Sequence, residues 1–255
     1  MRIILLTQSD PFYLAPNLQY LAESLPVDSK IVAAVVFDVS PFGKRESFIQ
    51  KAKKTVNIFG LFFFIRYGLR FLINKLNSDN SVPRVLNKFN IPLIQLKKSI
   101  NHNESLEIIK SYNPDLLISI AGNQVFKKPL IELAPKGCLN LHTALLPKYR
   151  GLMPSFWVLK NNEKETGVSV FFVDEDIDSG PILVQKKIPI DSKTTQAGLI
   201  KYSKKIGMDA IIESVELIQK GNYQLIPNPE SEKTYYSFPT RNDVIEFKKS
   251  GKKFY

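Results

Sequence analysis

The sequence predicts an α/β fold, with a mostly parallel sheet covered by helices on both faces and a short C-terminal extension. Runs of apolar, β-branched residues alternate with stretches of helical periodicity, which is the pattern of parallel strands joined by crossover helices. The run LLISI is continuously apolar, as expected of a strand buried on both faces. A length of 255 residues with 44% apolar content suffices for one sizeable core.

The first half of the chain supplies the parallel strands. Apolar runs predict the strands, and amphipathic stretches between them predict the helices. The predicted strands are Arg2–Thr7, Lys30–Phe37, a short Pro92–Leu96, Asp115–Ile120 and Cys138–His142; the predicted helices are Asn17–Leu25, a long segment reaching Asn77, and Ser105–Ser111.

The second half predicts a hairpin followed by a long helix. After a helix near Pro154–Lys160, the strand Gly167–Val173 pairs with Pro181–Ile190 across the acidic loop DEDIDSG. Thr195–Gln219 has the pattern of one amphipathic helix. Asn228–Tyr255 is rich in Pro, Lys and aromatic residues and is expected to form an irregular arm. We therefore divide the chain into a main domain, 1–219, and a C-terminal extension, 220–255.

One apolar segment, Ile58 to Ile73, bears on membrane contact. Arg66 and Arg70 interrupt it, so it falls short of the roughly 20 apolar residues that a membrane span needs. Its apolar positions recur at helical spacing, namely Leu61, Ile65, Leu69, Leu72 and Leu76. The pattern favours a helix packed on the core. The alternative is a helix lying on an acidic membrane, helped by Lys51, Lys53 and Lys54.

Composition limits the classes of function. Cys138 is the single cysteine, which excludes a disulfide within the chain and a zinc site built from several cysteines. With no His or Cys beside the acidic loop, no metal site is predicted. MRIILLT runs directly into a polar segment, so we expect no secretory signal and a cytoplasmic location. The net charge of +11 favours anionic partners without choosing among phosphates, nucleic acid, acidic cofactors and membranes.

The stretch NLHTALLPKYRG, from Asn140 to Gly151, carries the first candidate site residues. Asn140 and His142 lie two apart on a predicted strand and face the same side. An amide beside an imidazole suits a place where negative charge develops on an oxygen. Asp178, in the tight turn DSGP, can reach back to orient the imidazole. Singly, each feature has a plainer explanation: a structural strand-end histidine, or a solvated acidic loop.

These candidates fall where the fold would place a ligand. In open parallel sheets, ligands bind beyond the carboxyl ends of the strands. The ends at Thr7-Gln8, Ala121-Gly122-Asn123 and His142-Thr143 should therefore line one crevice. The sequence after the first strand, LLTQSDPFY, lacks the Gly-rich turn of dinucleotide sites, so that mode of nucleotide binding is disfavoured.

Together these motifs resemble the folate-dependent formyltransferases, which include glycinamide ribonucleotide transformylase, methionyl-tRNA formyltransferase and the sugar N-formyltransferases. The family hallmark is Asn-x-His with a following Leu-Leu-Pro turn, then an Asp before a Gly-containing turn. Here these are NLHTALLPKYRG and DIDSGPIL, with Asn140 and Asp178 separated by 38 residues. The resemblance is clear over about Asp115 to Ile190 and weak before it. It implies a Rossmann-like fold, with residues 1–219 as the formyltransferase catalytic domain.

The resemblance also implies a cofactor, N10-formyltetrahydrofolate, and roles for individual residues. Asn140 and His142 would stabilise the oxyanion as an amine attacks the formyl group, and Asp178 would orient His142 and assist proton removal. The implied cofactor contacts are the loop Asn123, Gln124, Val125 and Phe126, and the turn Ala144, Leu145, Leu146 and Pro147. Ala144 replaces the family's usual serine, which can alter one polar contact and leaves the catalytic assignment intact.

The acceptor amine is less well defined. The favoured acceptor is a nucleotide-linked deoxyamino sugar, because sugar N-formyltransferases look similar in having a family core plus a short extension. In the extension, Tyr235, Tyr236 and Phe238 offer stacking surfaces and Arg241 a phosphate contact, or the aromatic residues pin the arm to the core. An exposed strand in this arm leaves a homodimer open.

Other acceptors are disfavoured or remain alternatives. The purine substrate is disfavoured because LLTQSDPFY lacks a Gly-rich phosphate loop. Methionyl-tRNA is disfavoured because the residues from Lys220 onward are too few for that enzyme's C-terminal barrel, although the positive charge keeps tRNA open. No DNA partner is expected. The remaining alternatives are another small amine, a formyltetrahydrofolate hydrolase and a folate-binding module without transfer.

Overall fold

The computed structural model describes residues 1–38, 47–77, 79 and 81–255. Its centre is a six-stranded sheet of order β2-β1-β3-β4-β6-β7, and a two-stranded sheet pairs β5 with β8. The strands are β1 (Arg2–Gln8), β2 (Lys30–Phe37), β3 (Leu116–Ile120), β4 (Cys138–His142), β5 (Arg150–Gly151), β6 (Glu165–Phe172), β7 (Ile182–Pro189) and β8 (Tyr235–Tyr236). Strands β2, β1, β3 and β4 run parallel to one another. Strand β6 is antiparallel to both of its neighbours, β4 and β7. The predicted mostly parallel sheet is confirmed.

Helices cover both faces of the sheet, as predicted. They are α1 (Leu14–Ser24), α2 (Phe48–Phe59), α3 (Leu61–Leu76), α4 (Val82–Lys88), α5 (Asn103–Lys110), α6 (Lys128–Ile131), α7 (Pro154–Lys160), α8 (Gln196–Lys220) and α9 (Arg241–Lys249). Successive residues of a strand point to opposite faces. Ile3 and Leu5 of β1 therefore join the core under α1 and α8, whereas Ile4 and Leu6 join a second cluster under α5 and α6.

Several predicted elements differ from the structure. The segment Ile58–Ile73 is not one helix, because α2 ends at Phe59 and α3 begins at Leu61. Gly60 between them has a φ of 92°, a conformation that favours glycine and interrupts the helix. Helix α1 begins three residues before the predicted Asn17. Pro92–Leu96 forms one isolated bridge, from Leu93 to Ala34, in place of a strand. Part of the long predicted segment, 39–46, lies outside the described residues.

Helix α3 packs on the protein through one face only. It has no fully buried residue, but Phe63 stacks on Phe59 and makes an edge contact with Phe254. The expectation of a helix packed on the core is thus right for this face, while the opposite face is open. Among the helices in the described part of the chain, none is long and apolar enough to cross a membrane.

The C-terminal extension is more ordered than predicted. The expected irregular arm contains β8 and the nine-residue helix α9, which begins with a capping box between Thr240 and Asp243. Phe247 and Phe254 are buried and lie in the same cluster as Phe156 of α7. Residues 220–255 therefore share the core of the main domain.

Candidate active site

A cavity of about 440 Å³ lies at the carboxyl edge of the parallel strands. Gln8 lines it from β1, residues 119–126 from the end of β3, and residues 140–143 from the end of β4. Its size lies within the range of small-molecule sites. The crevice predicted at these three strand ends is confirmed.

His142 lies on the wall of this cavity with its ring fixed from behind. Its Nε2 is 2.7 Å from the carbonyl oxygen of Tyr149. A carbonyl oxygen only accepts, so Nε2 donates, and Nδ1 is left facing Asp178. Nδ1 and the Asp178 Oδ2 are 3.6 Å apart, which is ion-pair range but too long for a direct hydrogen bond. The predicted pair is brought together, but Tyr149 makes the hydrogen bond that orients the ring.

The Tyr149 backbone is itself held on several sides. Its N–H donates to Thr234 Oγ1 at 2.8 Å, and its ring stacks on Tyr236 at a centroid distance of 5.2 Å. The phenol donates to Glu163 at 2.5 Å, and burial, followed by this hydrogen bond, raises the pKa of Tyr149. The carbonyl that positions His142 is therefore part of a rigid segment.

Asp178 is presented by an unusual backbone conformation. Its φ of 52° is left-handed, and its Oδ2 accepts a 2.8 Å hydrogen bond from the Gly151 N–H. The side chains of Asp178 and His142 are only 11% and 8% exposed. At position 151, φ is 93° and an added Cβ would lie 2.3 Å from the Tyr236 carbonyl oxygen. Glycine is required there for the chain to approach both Asp178 and β8.

Asn140 completes the predicted group. It lines the cavity from β4, on the same strand face as His142. Its side chain has no hydrogen-bond partner among the described residues. The amide N–H groups are therefore available to an oxygen of a bound ligand.

The predicted cofactor loop, 123–126, also lines the cavity. Asn123 Nδ2 donates to the Asp38 carbonyl at 2.6 Å, while its Oδ1 is buried without a partner among the described residues. Asn101 clamps the loop, donating to the Val125 carbonyl at 2.8 Å and accepting from the Lys127 N–H at 2.8 Å. A buried, unsatisfied acceptor in a fixed loop suits a ligand that brings a donor.

The other predicted cofactor segment, 144–147, does not reach the cavity wall. Ala144 and Leu146 are buried, and the turn is hydrogen-bonded to Ser169 of β6. The Ser169 hydroxyl donates to the Ala144 carbonyl at 2.7 Å and accepts from the Leu146 N–H at 3.1 Å. Gln185 also donates to the Leu146 carbonyl. The turn connects His142 to Tyr149, and its direct contact with a cofactor stays a prediction.

Two residues that support the Asp178 turn were missed by sequence reasoning. Asn228, in the extension, donates to the carbonyl oxygens of Asp178 and Gly180, at 2.9 Å each. The buried Arg150 donates to the Asn228 side chain at 3.0 Å and pairs with Glu230. No local pattern marks Asn228, because its partners lie about 50 residues earlier in the chain.

Asn228→Ala is expected to lower both turnover and stability. It removes two hydrogen bonds to the Asp178 turn, a loss of about 1–3 kcal/mol in the free energy of unfolding. The loosened turn positions the Asp178 carboxylate less well, which should lower kcat about tenfold with little change in cofactor affinity. Steady-state kinetics and urea unfolding measure both, with the exposed Asn222→Ala as control. An unchanged kcat in a destabilised variant would show that Asn228 supports only the fold.

The aromatic residues of the extension divide between the two predicted roles. Tyr236 pins the arm, because it stacks on Trp157 at 4.7 Å and accepts a hydrogen bond from Asn161. Phe238 lines the cavity. Tyr235 is half exposed, and Arg241 is exposed at the start of α9, away from the lining residues.

Lys204 is a further cavity residue that sequence reasoning missed. It projects from α8 into the lining, and burial lowers the pKa of its ammonium, opposed in part by Asp10. It makes no hydrogen bond or ion pair within the described residues. The sequence signal that could have identified Lys204 was its position near Ser203 and Gly207, which lie on the buried side of α8. A desolvated cation without a close partner suits an anionic ligand.

Comparison with known protein sequences identifies related enzymes. A family model described as Formyl transferase matches residues 74–215. The methionyl-tRNA formyltransferase of Kosmotoga olearia is 40% identical over 164 residues, which are 64% of this chain and 52% of that protein. The chain thus spans about half the length of the curated relatives it matches.

Solved structures with the same arrangement of elements are more distant in sequence. Phosphoribosylglycinamide formyltransferase from Anaplasma phagocytophilum gives a TM-score of 0.64 at 15% identity, covering 94% of this chain and 99% of that one. An N-formyltransferase from Helicobacter canadensis, in complex with folinic acid and dTDP-3-aminofucose, gives a TM-score of 0.58 at 18% identity. The match covers 95% of this chain and 72% of that one. At these identities the likeness shows the fold, which is Rossmann-like.

Proposed function

Because the chain belongs to the formyl transferase family, we propose that it transfers a formyl group from N10-formyltetrahydrofolate to a primary amine. The observation that carries this proposal is the convergence of Asn140, His142 and Asp178 on one wall of the cavity. An amide donor, an imidazole and a nearly buried carboxylate together match what acyl transfer to an amine requires.

The three residues divide the chemistry between them. The cofactor would supply the formyl carbonyl, and the Asn140 amide would donate to the oxygen on which negative charge develops. Because Nε2 of His142 already donates to the Tyr149 carbonyl, Nδ1 could donate to the same oxygen only when it also carries a proton. The acceptor amine would lose a proton to Asp178, directly or through His142. As the bond from the amine to the formyl carbon forms, the bond from that carbon to N10 would break, and N10 of the leaving tetrahydrofolate would take up a proton. The Gly151 N–H holds the carboxylate in place, and the Tyr149 carbonyl prevents the imidazole from rotating. Both contacts fix the groups before a substrate arrives.

The loop after β3 fits the folate. Its buried Asn123 Oδ1 is open to an N–H donor of the pterin, and its backbone is held by Asn101. Val125 is exposed at the rim, whereas Phe126 is buried and anchors the loop. We assign residues 123–126 to cofactor binding. The turn 144–147 is kept as a secondary contact.

For the acceptor, we propose an amino sugar linked to a nucleotide. Lys204 supplies a partly buried cation for a phosphate, and Phe238 supplies an aromatic wall for a base or sugar ring. The Helicobacter canadensis enzyme of the same fold was crystallised with such a nucleotide-linked amino sugar. These features support an acceptor that carries a phosphate and a ring able to stack on an aromatic side chain.

A second candidate is methionyl-tRNA. The observation in its favour is the 40% identity to a methionyl-tRNA formyltransferase, joined to a net charge of +11 that suits a polyanion. A tRNA acceptor predicts binding that weakens steeply with salt. A nucleotide-linked sugar predicts a shallower dependence, since few phosphates are contacted.

The first experiment measures release of tetrahydrofolate from N10-formyltetrahydrofolate, with and without each acceptor. The acceptors are amino-sugar nucleotides with 3-amino or 4-amino groups, and methionyl-tRNA. Release that requires one sugar nucleotide supports the proposal, and release that requires methionyl-tRNA supports the second candidate. Release without any acceptor would identify a hydrolase. Binding of the cofactor without release in any mixture would contradict both proposed acceptors.

Lys204→Met tests the anionic acceptor separately from the chemistry. Methionine keeps the apolar stem and removes the charge, so KM for the acceptor should rise about 10- to 100-fold with kcat changed little. Stability should stay equal or increase, because a desolvated cation is removed. The control is Lys201→Met, an exposed position three residues earlier on the same helix. An unchanged KM would exclude Lys204 from acceptor binding.

A further inference from the structure

An apolar stripe on α3 is unaccounted for by the catalytic site. Seven large apolar side chains are between 52% and 86% exposed, namely Leu61, Phe62, Ile65, Leu69, Leu72, Ile73 and Leu76. At about 100° per residue they fall within an arc of roughly 120°. Scattered exposed apolar residues are ordinary, but a continuous stripe along a whole helix marks an interaction surface.

The stripe faces outward because the opposite side of α3 is anchored. Phe63 packs against Phe254, and Tyr67 lies 5.0 Å from the ring of Phe12. The Arg70 guanidinium lies over the ring of Tyr255 at 5.3 Å. These contacts hold the helix on the fold with its apolar stripe in solvent, so the stripe is a fixed surface.

The charge around the stripe is of one sign. Residues 48–76 contain six basic side chains, Lys51, Lys53, Lys54, Arg66, Arg70 and Lys75, and no aspartate or glutamate. Phe48 and Ile49 at the start of α2 are also more than three-quarters exposed. An amphipathic helix with exclusively basic flanks is the composition that lies in the interface of an anionic bilayer.

A basic pocket of about 250 Å³ adjoins the stripe. Phe62 of the stripe forms one wall, and Arg66 of α3 with Lys248, Lys252 and Lys253 of the C-terminal segment contribute cations. Apolar surface and cations thus meet at one edge, as acyl chains and phosphates do at the edge of a bilayer. Such a pocket suits the phosphate of a lipid headgroup.

We propose that the protein docks on anionic lipid bilayers through the apolar stripe of α3 and the adjoining basic pocket. A second copy fits less well, because a two-fold interface through the stripe would bring two surfaces of the same basic charge together. RNA fits less well because seven aliphatic and aromatic side chains of the stripe would contact polar phosphate and sugar. A bilayer complements both the apolar surface and the charge.

The test is flotation of the full chain with vesicles of pure phosphatidylcholine and with vesicles that also contain phosphatidylglycerol. We expect binding to the anionic vesicles only, weakening as salt is raised. Leu69→Asp, at the centre of the stripe, should reduce the partition coefficient about tenfold or more. Val27→Asp is the matched control, since Val27 is fully exposed, lies outside α2 and α3, and undergoes the same charge change.

Thermal unfolding of both variants is the control that checks whether the fold is kept. If the wild type does not bind anionic vesicles, or if Leu69→Asp binds them as tightly as the wild type does, the proposal is overturned. Equal binding to both vesicle types overturns the role of charge. Concentration-dependent dimerisation that Leu69→Asp abolishes, without vesicle binding, assigns the stripe to a second copy. Binding of tRNA that Leu69→Asp abolishes, without vesicle binding, assigns it to RNA.

Discussion

Replacing Asp178 by asparagine is expected to lower kcat for formyl transfer by about 10²- to 10⁴-fold. The amide keeps the size of the side chain and can still accept from the Gly151 N–H through its oxygen. It loses the negative charge that faces His142 Nδ1 and the basicity needed to take a proton from the acceptor. Single-turnover kinetics with saturating cofactor measure the chemical step directly.

The control for this variant is Asp176→Asn, in the same loop but exposed. It removes the same charge two residues away and should leave kcat within about twofold. The cofactor dissociation constant should be nearly the same in both variants, because residues 123–126 are untouched. Full transfer activity in Asp178→Asn would refute the proposed mechanism.

Gly180→Ala is expected to be strongly destabilising, by about 2–3 kcal/mol in the free energy of unfolding. A Cβ at position 180 would lie 1.8 Å from the carbonyl oxygen of Phe172, a backbone atom that cannot rotate away. The turn must therefore shift, and with it Asp178, so kcat should fall together with stability. Urea unfolding and steady-state kinetics of the same preparation measure the two effects.

Gly68→Ala is the matched control, with the opposite sign expected. Gly68 lies inside α3, and an added Cβ there meets no atom within 4 Å. Alanine should stabilise the helix by about 0.5–1 kcal/mol and leave the site unchanged. Equal stability of Gly180→Ala and the wild type would mean that the Asp178 turn moves without cost.

Local sequence patterns predicted the sheet well and the arm poorly. The strands β1 to β4 were predictable because a continuous apolar run is stable only when it is buried, as in a sheet covered on both faces. Helix α9 was missed because Pro and Lys dominate the composition of the arm. Its capping box at Thr240 and Asp243, with apolar Val244 and Phe247 three apart, was a readable signal. The break at Gly60 depends on a backbone conformation that periodicity does not reveal.

For the site, the sequence motif pointed to the candidate residues but not to the groups that hold them. Asn140, His142 and Asp178 were found because one motif fixes their separation, and the structure brings them together. The Tyr149 carbonyl was invisible to sequence reasoning, because backbone atoms carry no residue-specific signal. Asn228 was missed because its hydrogen bonds span a long stretch of chain.

The supports of the site are made at different times as the chain leaves the ribosome. The loop 123–126 needs only Asn101, which precedes it, whereas the Asp178 turn waits for Asn228, 50 residues later. At ordinary rates of synthesis those residues take roughly 3–10 s to appear. During that interval the Asp178 carboxylate can already accept from the Gly151 N–H, but its turn lacks the two hydrogen bonds from Asn228. The Asp178 turn therefore reaches its final set of hydrogen bonds only after the extension has folded back onto it.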